Sequence, residues 1–458
     1  MFASSLNSSL AIASCGLTYE ANVEAIMIFK LRKKHVLAAL AIVVIAAASA
    51  LFSSPVYAAQ GSSDSNYVLN QTTYEQVEKI EKLLGNKKYA EAISHAKSLL
   101  GHVQSKYAKA LANQLIAQGY LIQNNLSASE PYLKRVIALN ALQPRAQRSA
   151  IQQLATVYLS QEQYSQAIKL YKEVLEQAKT AKEAPDPVFY YHIGLAYSME
   201  KQYQSAYQYI QEAIQKRKTG PLKKGEKRQS VPKDWYSNLF IVVYRLKNFQ
   251  KANDIAKMLV ARWPDDSTFW NYYANTFLLM HDDRSATAVY ALMNKRGLLK
   301  NKDDYMQLVS LYIEQKAPYK AGSLLAKVMD KGIVPKTQGN YDLLATTWMQ
   351  AKAWDKALAI LGKEAALAPS GSIYLRQASI YMSKLDYSKA ATAARNALQK
   401  GGLKHPGEAW MLLGQAAFRA KDTRTALNAF HKAANYGSQR KDALGWIKFV
   451  QSSSKTGG

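Results

Sequence analysis

Leu154-Ala-Thr-Val-Tyr158-Leu-Ser-Gln-Glu-Gln-Tyr164-Ser-Gln-Ala167 is the stretch that best predicts the fold of this 458-residue chain. Ala155 and Tyr158 lie three residues apart before a short polar break, and Tyr164 and Ala167 lie three apart after it. Residues three or four apart share one face of a helix, so the stretch predicts two helices joined by a tight turn. Two such helices cannot bury their apolar faces alone, which favours a repeated unit.

The second half of this stretch, an aromatic residue followed three positions later by Ala, recurs along the chain. Clear copies are Tyr89–Ala92, Tyr164–Ala167, Tyr203–Ala206, Phe249–Ala252, Trp354–Ala357 and Tyr387–Ala390, and weaker copies place the Ala at 128, 286, 321 and 426. The ten Ala positions are separated by 36, 39, 39, 46, 34, 35, 36, 33 and 36 residues. This period predicts a tandem array of about ten two-helix units.

A small residue usually precedes each of these Ala positions by twelve residues, and an aromatic residue typically precedes it by sixteen. The small residues are Ala155, Gly194, Ala274, Ala345, Ala378 and Gly414. The pattern resembles the tetratricopeptide repeat, a 34-residue helix–turn–helix unit. The resemblance implies an all-α fold, a right-handed superhelical solenoid of about ten such units over residues 74–436. Residues 437–458 are expected to form a C-terminal capping helix and tail.

The segment before the repeats has the pattern of an export signal. A basic stretch starting after Met27 is followed by an apolar run over 36–52 and by a small-residue cleavage pattern at Val56 and Ala58. We therefore expect Met27 to be the true start, residues 1–26 to be an upstream extension, 27–58 to be a signal peptide and 59–73 to be a polar linker. Cleavage would leave a periplasmic protein. The alternative is an uncleaved anchor that holds the chain on the inner membrane, facing the periplasm.

The charge of the chain is strongly positive. Lys and Arg total 60 against 33 Asp and Glu, which gives a formal net charge of +27. Such a charge points to an anionic partner, and export makes nucleic acid an unsuitable one. Anionic envelope polymers, either lipopolysaccharide or cell-wall glycan, remain as candidates. A single Cys excludes a disulfide framework and a thiolate-built metal site.

Part of this charge is concentrated in an insertion over 216–233, inside the longest interval of the array. Its Gly and Pro residues predict a loop. Its eight basic residues are Lys216, Arg217, Lys218, Lys223, Lys224, Lys227, Arg228 and Lys233. Two interpretations stay open, a solvated loop and a docking surface for an anionic partner. No aromatic residue interrupts the charges within the segment, so a base-stacking site is not indicated.

A second candidate binding surface follows from the resemblance, which implies that the first helix of each unit lines a concave face. Positions one residue away from the packing face are expected to point into that groove. They are Asn113, Gln114, Gln153, Tyr191, Asn238, Tyr244, Arg245, Asn271, Tyr272, Asn275, Gln307 and Arg376. Amides can hydrogen-bond a peptide backbone and Tyr adds contact area, so these residues suggest a protein-binding groove. An ordinary solvated face is the alternative.

Motifs for catalysis and cofactor binding are missing from the sequence. It has no His-Glu-x-x-His, no phosphate-binding loop, no Gly-x-Ser-x-Gly and no dinucleotide fingerprint. The seven His residues are scattered, and no pair of carboxylates has a spacing that suggests a metal site or a glycosidase. We therefore expect an interaction protein without catalytic activity, metal or cofactor.

The second half of the chain suggests a narrower family. Its Arg262-Trp-Pro264, Ala317-Pro-Tyr-Lys-Ala321, Gly401-Gly-Leu-Lys-His-Pro-Gly407 and Trp446-Ile-Lys-Phe449 segments resemble exported bacterial tetratricopeptide proteins that accompany TonB–ExbB–ExbD energy transduction. The resemblance is clearest over 235–450. It implies a periplasmic accessory subunit whose partner is TonB, ExbB or ExbD. Direct binding of an anionic envelope polymer remains the alternative function.

Overall fold

The computed structural model describes residues 67–220, 229–367 and 370–453, and all regular structure in these ranges is helical. The described helices are α1 (Gln71–Gly85), α2 (Tyr89–His102), α3 (Lys106–Ile122), α4 (Leu126–Leu139), α5 (Pro144–Ser160), α6 (Tyr164–Thr180), α7 (Pro187–Met199), α8 (Tyr203–Thr219), α9 (Lys233–Arg245), α10 (Phe249–Arg262), α11 (Ser267–Leu279), α12 (Asp283–Lys295), α13 (Lys302–Glu314), α14 (Pro318–Asp330), α15 (Gln338–Gln350), α16 (Trp354–Leu367), α17 (Gly371–Ser383), α18 (Tyr387–Lys400), α19 (Pro406–Arg419), α20 (Thr423–Ala433) and α21 (Arg440–Ser453).

These helices form ten consecutive pairs and one final helix. Odd-numbered α1 to α19 are the first helices of the pairs, and even-numbered α2 to α20 are the second helices. In all six clear copies of the motif the aromatic residue is the first residue of a second helix, as Tyr164 is of α6. Helix α21 lies within the segment predicted to cap the array. The all-α repeat architecture predicted from the period is thereby confirmed.

The turn inside each pair is the same throughout the described array. The residue two positions before every second helix has a positive φ, between 53° and 64°. These residues are Lys87, Asn124, Glu162, Lys201, Lys247, His281, Lys316, Lys352, Leu385 and Lys421. A left-handed residue reverses the chain within three positions, and this brings the second helix back along the first. Asp side chains at 282, 386 and 422 then cap three of the second helices by accepting a backbone N–H.

The Ala positions that define the period are buried between the paired helices, with one correction. Nine of the ten are at most 1% exposed. Ala128 is instead partly exposed, and the next residue, Ser129, is fully buried. Helix α4 begins at Leu126, so Ser129 occupies the third position after the helix start and its hydroxyl is satisfied by the Leu126 carbonyl oxygen at 2.7 Å. Leu126 occupies the position at which the clear copies have an aromatic residue, so the sequence pattern did not identify Ser129 as the buried residue.

The described chain falls into two compact units, divided between Ile255 and Ala256. In the first unit, aliphatic side chains and the rings of Tyr107, Tyr158 and Tyr171 fill the space between successive helix pairs. In the second unit, a large cluster extends from Trp270 to Ile380, and smaller clusters cover α18 to α21. None of the helices within the described ranges is long and apolar enough to span a bilayer. The predicted extension over 1–26, the signal over 27–58 and most of the linker over 59–73 lie outside the described residues.

Candidate functional site

Six of the twelve side chains predicted to point into a groove are buried between helices instead. They are Asn113, Gln114, Gln153, Tyr191, Asn238 and Asn275, each 9% exposed or less. First helices contact the next first helix at α1–α3, α7–α9 and α17–α19. At these six positions the side chain is covered by other helices and does not face solvent. This corrects the expectation that these six side chains face an open groove.

Most of these buried amides and hydroxyls connect one helix to another. Gln114 on α3 donates to the Gln153 side chain on α5 at 2.9 Å. The Tyr290 hydroxyl on α12 donates to Asn275 on α11 at 3.2 Å. A buried polar side chain is stabilising only when it has a partner, so each of these bonds fixes the register between two helices.

The most extensive of these junctions joins α7 to α9. The Tyr191 hydroxyl donates to Asp234 at 3.2 Å and accepts from the Asn238 amide at 2.5 Å. Its ring stacks on Trp235 with 4.7 Å between ring centres and 11° between planes. Burial, and then the Asp234 charge, raise the pKa of Tyr191 well above its usual value. Burial also lowers the pKa of neighbouring His192 to about 4, although Asp234 opposes the shift. His192 is therefore an uncharged packing residue at neutral pH.

The other six predicted groove residues are half-buried on first helices. Tyr244 and Arg245 belong to α9 in the first unit, whereas Asn271, Tyr272, Gln307 and Arg376 belong to α11, α13 and α17 in the second unit. We call these last four residues the first-helix surface. They combine amide, phenol and guanidinium groups, which can hydrogen-bond a polypeptide without demanding one sequence.

Two residues of the first-helix surface lie on α11 near acidic side chains. Asn271 hydrogen-bonds Asp304 on α13, while burial raises the pKa of Asp304 above its ordinary value. Burial, with a smaller contribution from Asp266, raises the pKa of Tyr272 to about 12. The Tyr272 phenol is therefore a neutral hydrogen-bonding group at physiological pH, as the Asn271 amide is at any pH.

Arg376 is fixed by three partners on α15 and α16. Its guanidinium forms an ion pair with Asp342 and donates to the Thr346 hydroxyl at 2.9 Å. It also lies 3.6 Å from Oε2 of Glu364, a carboxylate only 4% exposed. Burial raises the pKa of Glu364, Arg376 opposes the shift, and Asp342 adds to it. The main task of Arg376 is thus to neutralise a buried acid, and only part of its surface is left for a partner.

The basic segment over 216–233 is less of a loop than the sequence predicts. Lys216, Arg217 and Lys218 form the last turn of α8, and Lys233 is the first residue of α9. Lys and Arg favour helices and are stabilising at a helix C-terminus, so the helix continues to Thr219 before Gly220. Lys223, Lys224, Lys227 and Arg228 lie outside the described residues.

Aromatic rings from other helices cover the charges at the end of α8. The centres of the Tyr190, Trp235 and Tyr236 rings lie 4.8, 5.8 and 5.5 Å from Lys216, Arg217 and Lys218, respectively. Such cation–π contacts hold the basic side chains against α7 and α9. No signal inside the segment could have revealed the rings, because each lies 18 or more residues in sequence from the charge that it covers. Across the described chain, no three His, Cys, Asp or Glu side chains are grouped so as to hold a metal ion.

A match to a known repeat family agrees with this architecture. The family model described as tetratricopeptide repeat matches residues 153–221 and 375–440. No curated protein matches the chain. A tetratricopeptide repeat protein from Parabacteroides merdae is 14% identical, with 61% of this chain and 99% of that chain covered and a TM-score of 0.37.

Two further solved structures have similar values. The C-terminal part of a repeat-containing protein from Cytophaga hutchinsonii is 17% identical, with 64% and 95% of the two chains covered and a TM-score of 0.36. The TPR2AB domain of yeast Sti1 in its pHSP90 complex is 13% identical, with 58% and 98% covered and a TM-score of 0.29.

Proposed function

We propose that the chain is a non-catalytic scaffold that binds a protein partner through its first helices, as its match to the tetratricopeptide repeat over 153–221 and 375–440 suggests. One observation carries the proposal. Five of the six buried groove candidates bond a side chain on another helix, whereas the first-helix surface presents polar side chains on α11, α13 and α17. Groups of this kind on three first helices suit an extended polypeptide better than a small substrate.

The partner that we propose is TonB, ExbB or ExbD, bound in the periplasm by an accessory subunit of TonB-dependent uptake. The export pattern over 27–58 and the segments around Pro264, Pro318 and Gly402 support this narrower role. Export can be tested separately, by fusing residues 27–80 to a reporter that is active only outside the cytoplasm. A silent fusion in cells that express the chain would contradict the periplasmic role while leaving the scaffold role open.

Crosslinking followed by pull-down from envelope extracts tests the partner. Gln307→Arg places a long cation on the first-helix surface, and we expect recovery of TonB, ExbB or ExbD to fall at least tenfold. Ser323→Arg is the matched control, because Ser323 is exposed on the second helix α14 and receives the same side chain. Equal recovery with both variants, or none of the three proteins recovered with the unmodified chain, would count against the proposal.

A second candidate function rests on the net charge of +27. The chain would then bind an anionic envelope polymer, either lipopolysaccharide or cell-wall glycan, through its basic residues. Joint substitution of Lys223, Lys224, Lys227 and Arg228 by Gln separates the two functions. Polymer binding should weaken with this variant and with rising salt, because exposed charges are screened over about 10 Å at 0.1 M salt. Partner recovery through the first-helix surface should be unchanged.

A further inference from the structure

A cleft between α2, α3 and α4 is not used by the proposed scaffold function. It has a volume of 460 Å³ and is lined by Leu100, Lys109, Asn113, Arg135, Ala138 and Leu139. Sites for small molecules commonly occupy roughly 300–1,000 Å³ and combine apolar walls with a few polar groups. This cleft has that composition, with three apolar residues and three polar ones.

The two basic side chains of the cleft have no acidic partner. Neither Lys109 nor Arg135 forms an ion pair with any side chain in the described ranges. Lys134, next to Arg135, is by contrast paired with Glu130 at 2.6 Å. The Arg135 guanidinium lies over the Tyr132 ring, 5.2 Å from its centre, which holds the charge in place. The cleft is therefore positive, and one of its charges is positioned before any ligand arrives.

Asn113 also lines the cleft and is buried. Its side chain is 2% exposed, and its amide nitrogen donates to the Lys109 carbonyl oxygen at 2.7 Å. This bond fixes which end of the amide is the nitrogen. The opposite atom, Oδ1, is buried and has no hydrogen-bond partner among the residues that the structure describes. An unsatisfied buried acceptor costs about 1–3 kcal/mol, so a donor that reaches this oxygen would be favoured.

We propose that this cleft binds a small organic acid: a carboxylate on an apolar body that also carries an N–H or O–H donor. The carboxylate pairs with Arg135 and Lys109, the apolar body covers Leu100, Ala138 and Leu139, and the donor bonds Oδ1 of Asn113. A plain fatty acid lacks the donor and a neutral amide lacks the charge, so each should use only part of the site. This inference goes beyond the scaffold function and does not depend on it.

Three matched probes test the proposal by calorimetry on the full chain. N-acetyl-L-leucine has the carboxylate, the apolar body and an N–H donor, and we expect it to bind with a Kd of about 1 mM or below, which is ordinary for a ligand of this size. N-acetyl-L-leucinamide, which lacks the charge, should bind at least tenfold more weakly. 4-Methylpentanoate, which lacks the donor, should bind about fivefold more weakly. Equal affinity for all three probes, or no binding of N-acetyl-L-leucine at 10 mM, would overturn the proposal.

Variants locate the binding in the cleft. Arg135→Gln and Lys109→Gln should each weaken N-acetyl-L-leucine binding about fivefold. Lys169→Gln, an exposed cation on α6, is the matched control and should leave the affinity unchanged. Asn113→Leu should remove the advantage of N-acetyl-L-leucine over 4-methylpentanoate. An unchanged affinity in Arg135→Gln, a variant at an exposed position that should fold normally, would place the binding elsewhere and reject the site.

A longer probe distinguishes a free acid from the end of a protein chain, which has the same chemistry. N-acetyl-Ala-Ala-Leu and N-acetyl-L-leucine should bind within threefold of each other if the ligand is a free acid. Tighter binding of the tripeptide by tenfold or more would identify a protein C-terminus and overturn the assignment to a small molecule. Recovery of the scaffold's protein partner should be unaffected by Arg135→Gln, so a failure of one proposal can be told from a failure of the other.

Discussion

Gly414 on α19 lies directly against the ring of Phe430 on α20: a β-carbon at 414 would be 2.5 Å from Cε1 of that ring and 2.7 Å from Cδ1. Phe430 is fully buried and stacks on Trp446 of α21, with 5.3 Å between ring centres, so the ring has little room to move. The same relationship recurs in the first unit, where a β-carbon at Gly194 would be 2.6 Å from Cγ1 of Ile210. The small residue in the first helix is thus what allows the second helix to come close.

Gly414→Ala should therefore destabilise the end of the array, by about 1–3 kcal/mol, because the added methyl group forces the Phe430 ring out of its position. Hydrogen exchange of the α19 and α20 amides measures this local free energy. Gly362→Ala is the matched control. Position 362 is also helical, but a β-carbon there meets no atom within 4 Å, so this variant should stabilise α16 by about 0.5–1 kcal/mol. If both variants shift exchange in the same direction, the close approach at Gly414 is not limiting.

Leu385→Asn should stabilise the turn between α17 and α18. Leu385 has a φ of 61° and is 68% exposed. Burial of its side chain therefore does little to offset the cost of the left-handed conformation. That conformation costs an ordinary residue about 1–2 kcal/mol, and Asn adopts it more readily. We expect the unfolding free energy of the α17–α18 pair to rise by about 1 kcal/mol, measured by hydrogen exchange. Leu385→Val, with a branched side chain, should lower it, and a gain with Val would contradict the explanation.

The sequence was sufficient to predict the helix pairs. It was insufficient to predict which side chains on each pair are covered by neighbouring helices. The repeat period, the first residue of many second helices and the small residue of each pair can be predicted from the spacing of residues in the sequence. Close packing of the two helices requires Ala, Gly or an aromatic residue at these positions, so the same residue types recur at the same spacing. Ser129 was missed because Leu126 replaces the usual aromatic residue. Burial of Tyr191 and Asn238 could not be predicted, since it depends on how one first helix lies beside the next. The rings over Lys216 and Lys218 come from separate helices, which a pattern within one segment cannot detect.

Arg376→Gln should destabilise the second unit, because it leaves the buried Glu364 carboxylate without its counter-charge. We expect a loss of about 1–3 kcal/mol at pH 8, measured by hydrogen exchange in α15 to α17. The pKa of Glu364 is already raised by burial, so protonation at lower pH should reduce the loss. Arg376→Gln combined with Glu364→Gln should recover most of the stability. A double variant as unstable as the sum of both single variants would show that the two residues act independently.

Glu81 should make the first pair of helices more stable in mild acid than in base. Burial, followed by repulsion from Glu78, raises the pKa of Glu81 to about 7. The folded state then holds the proton more tightly than the unfolded state. The stabilising contribution of protonated Glu81 is therefore fully present below the ordinary pKa of about 4.5, and it is lost as the pH rises toward 7. The carboxyl is only half-buried, so we expect a change of about 1 kcal/mol between pH 5 and pH 8, less than the full shift implies.

Glu81→Gln tests this dependence, measured by hydrogen exchange of α1 and α2 at both pH values. The variant should be nearly as stable at pH 8 as at pH 5, because its side chain does not titrate. Glu75→Gln, on the same helix at an exposed position, should keep the pH dependence of the unmodified chain. Retention of the full dependence in Glu81→Gln would assign it to another group.

The ten left-handed turn residues, from Lys87 to Lys421, have a consequence for how the chain can be re-engineered. Each pair is closed by the same three-residue connector, whatever the side chains around it. A second helix can therefore be exchanged between pairs, or a whole pair duplicated in the gene, without designing a new loop. The length of this protein is in that sense adjustable, and the constraint on a transplanted pair comes from the residues that face its new neighbours.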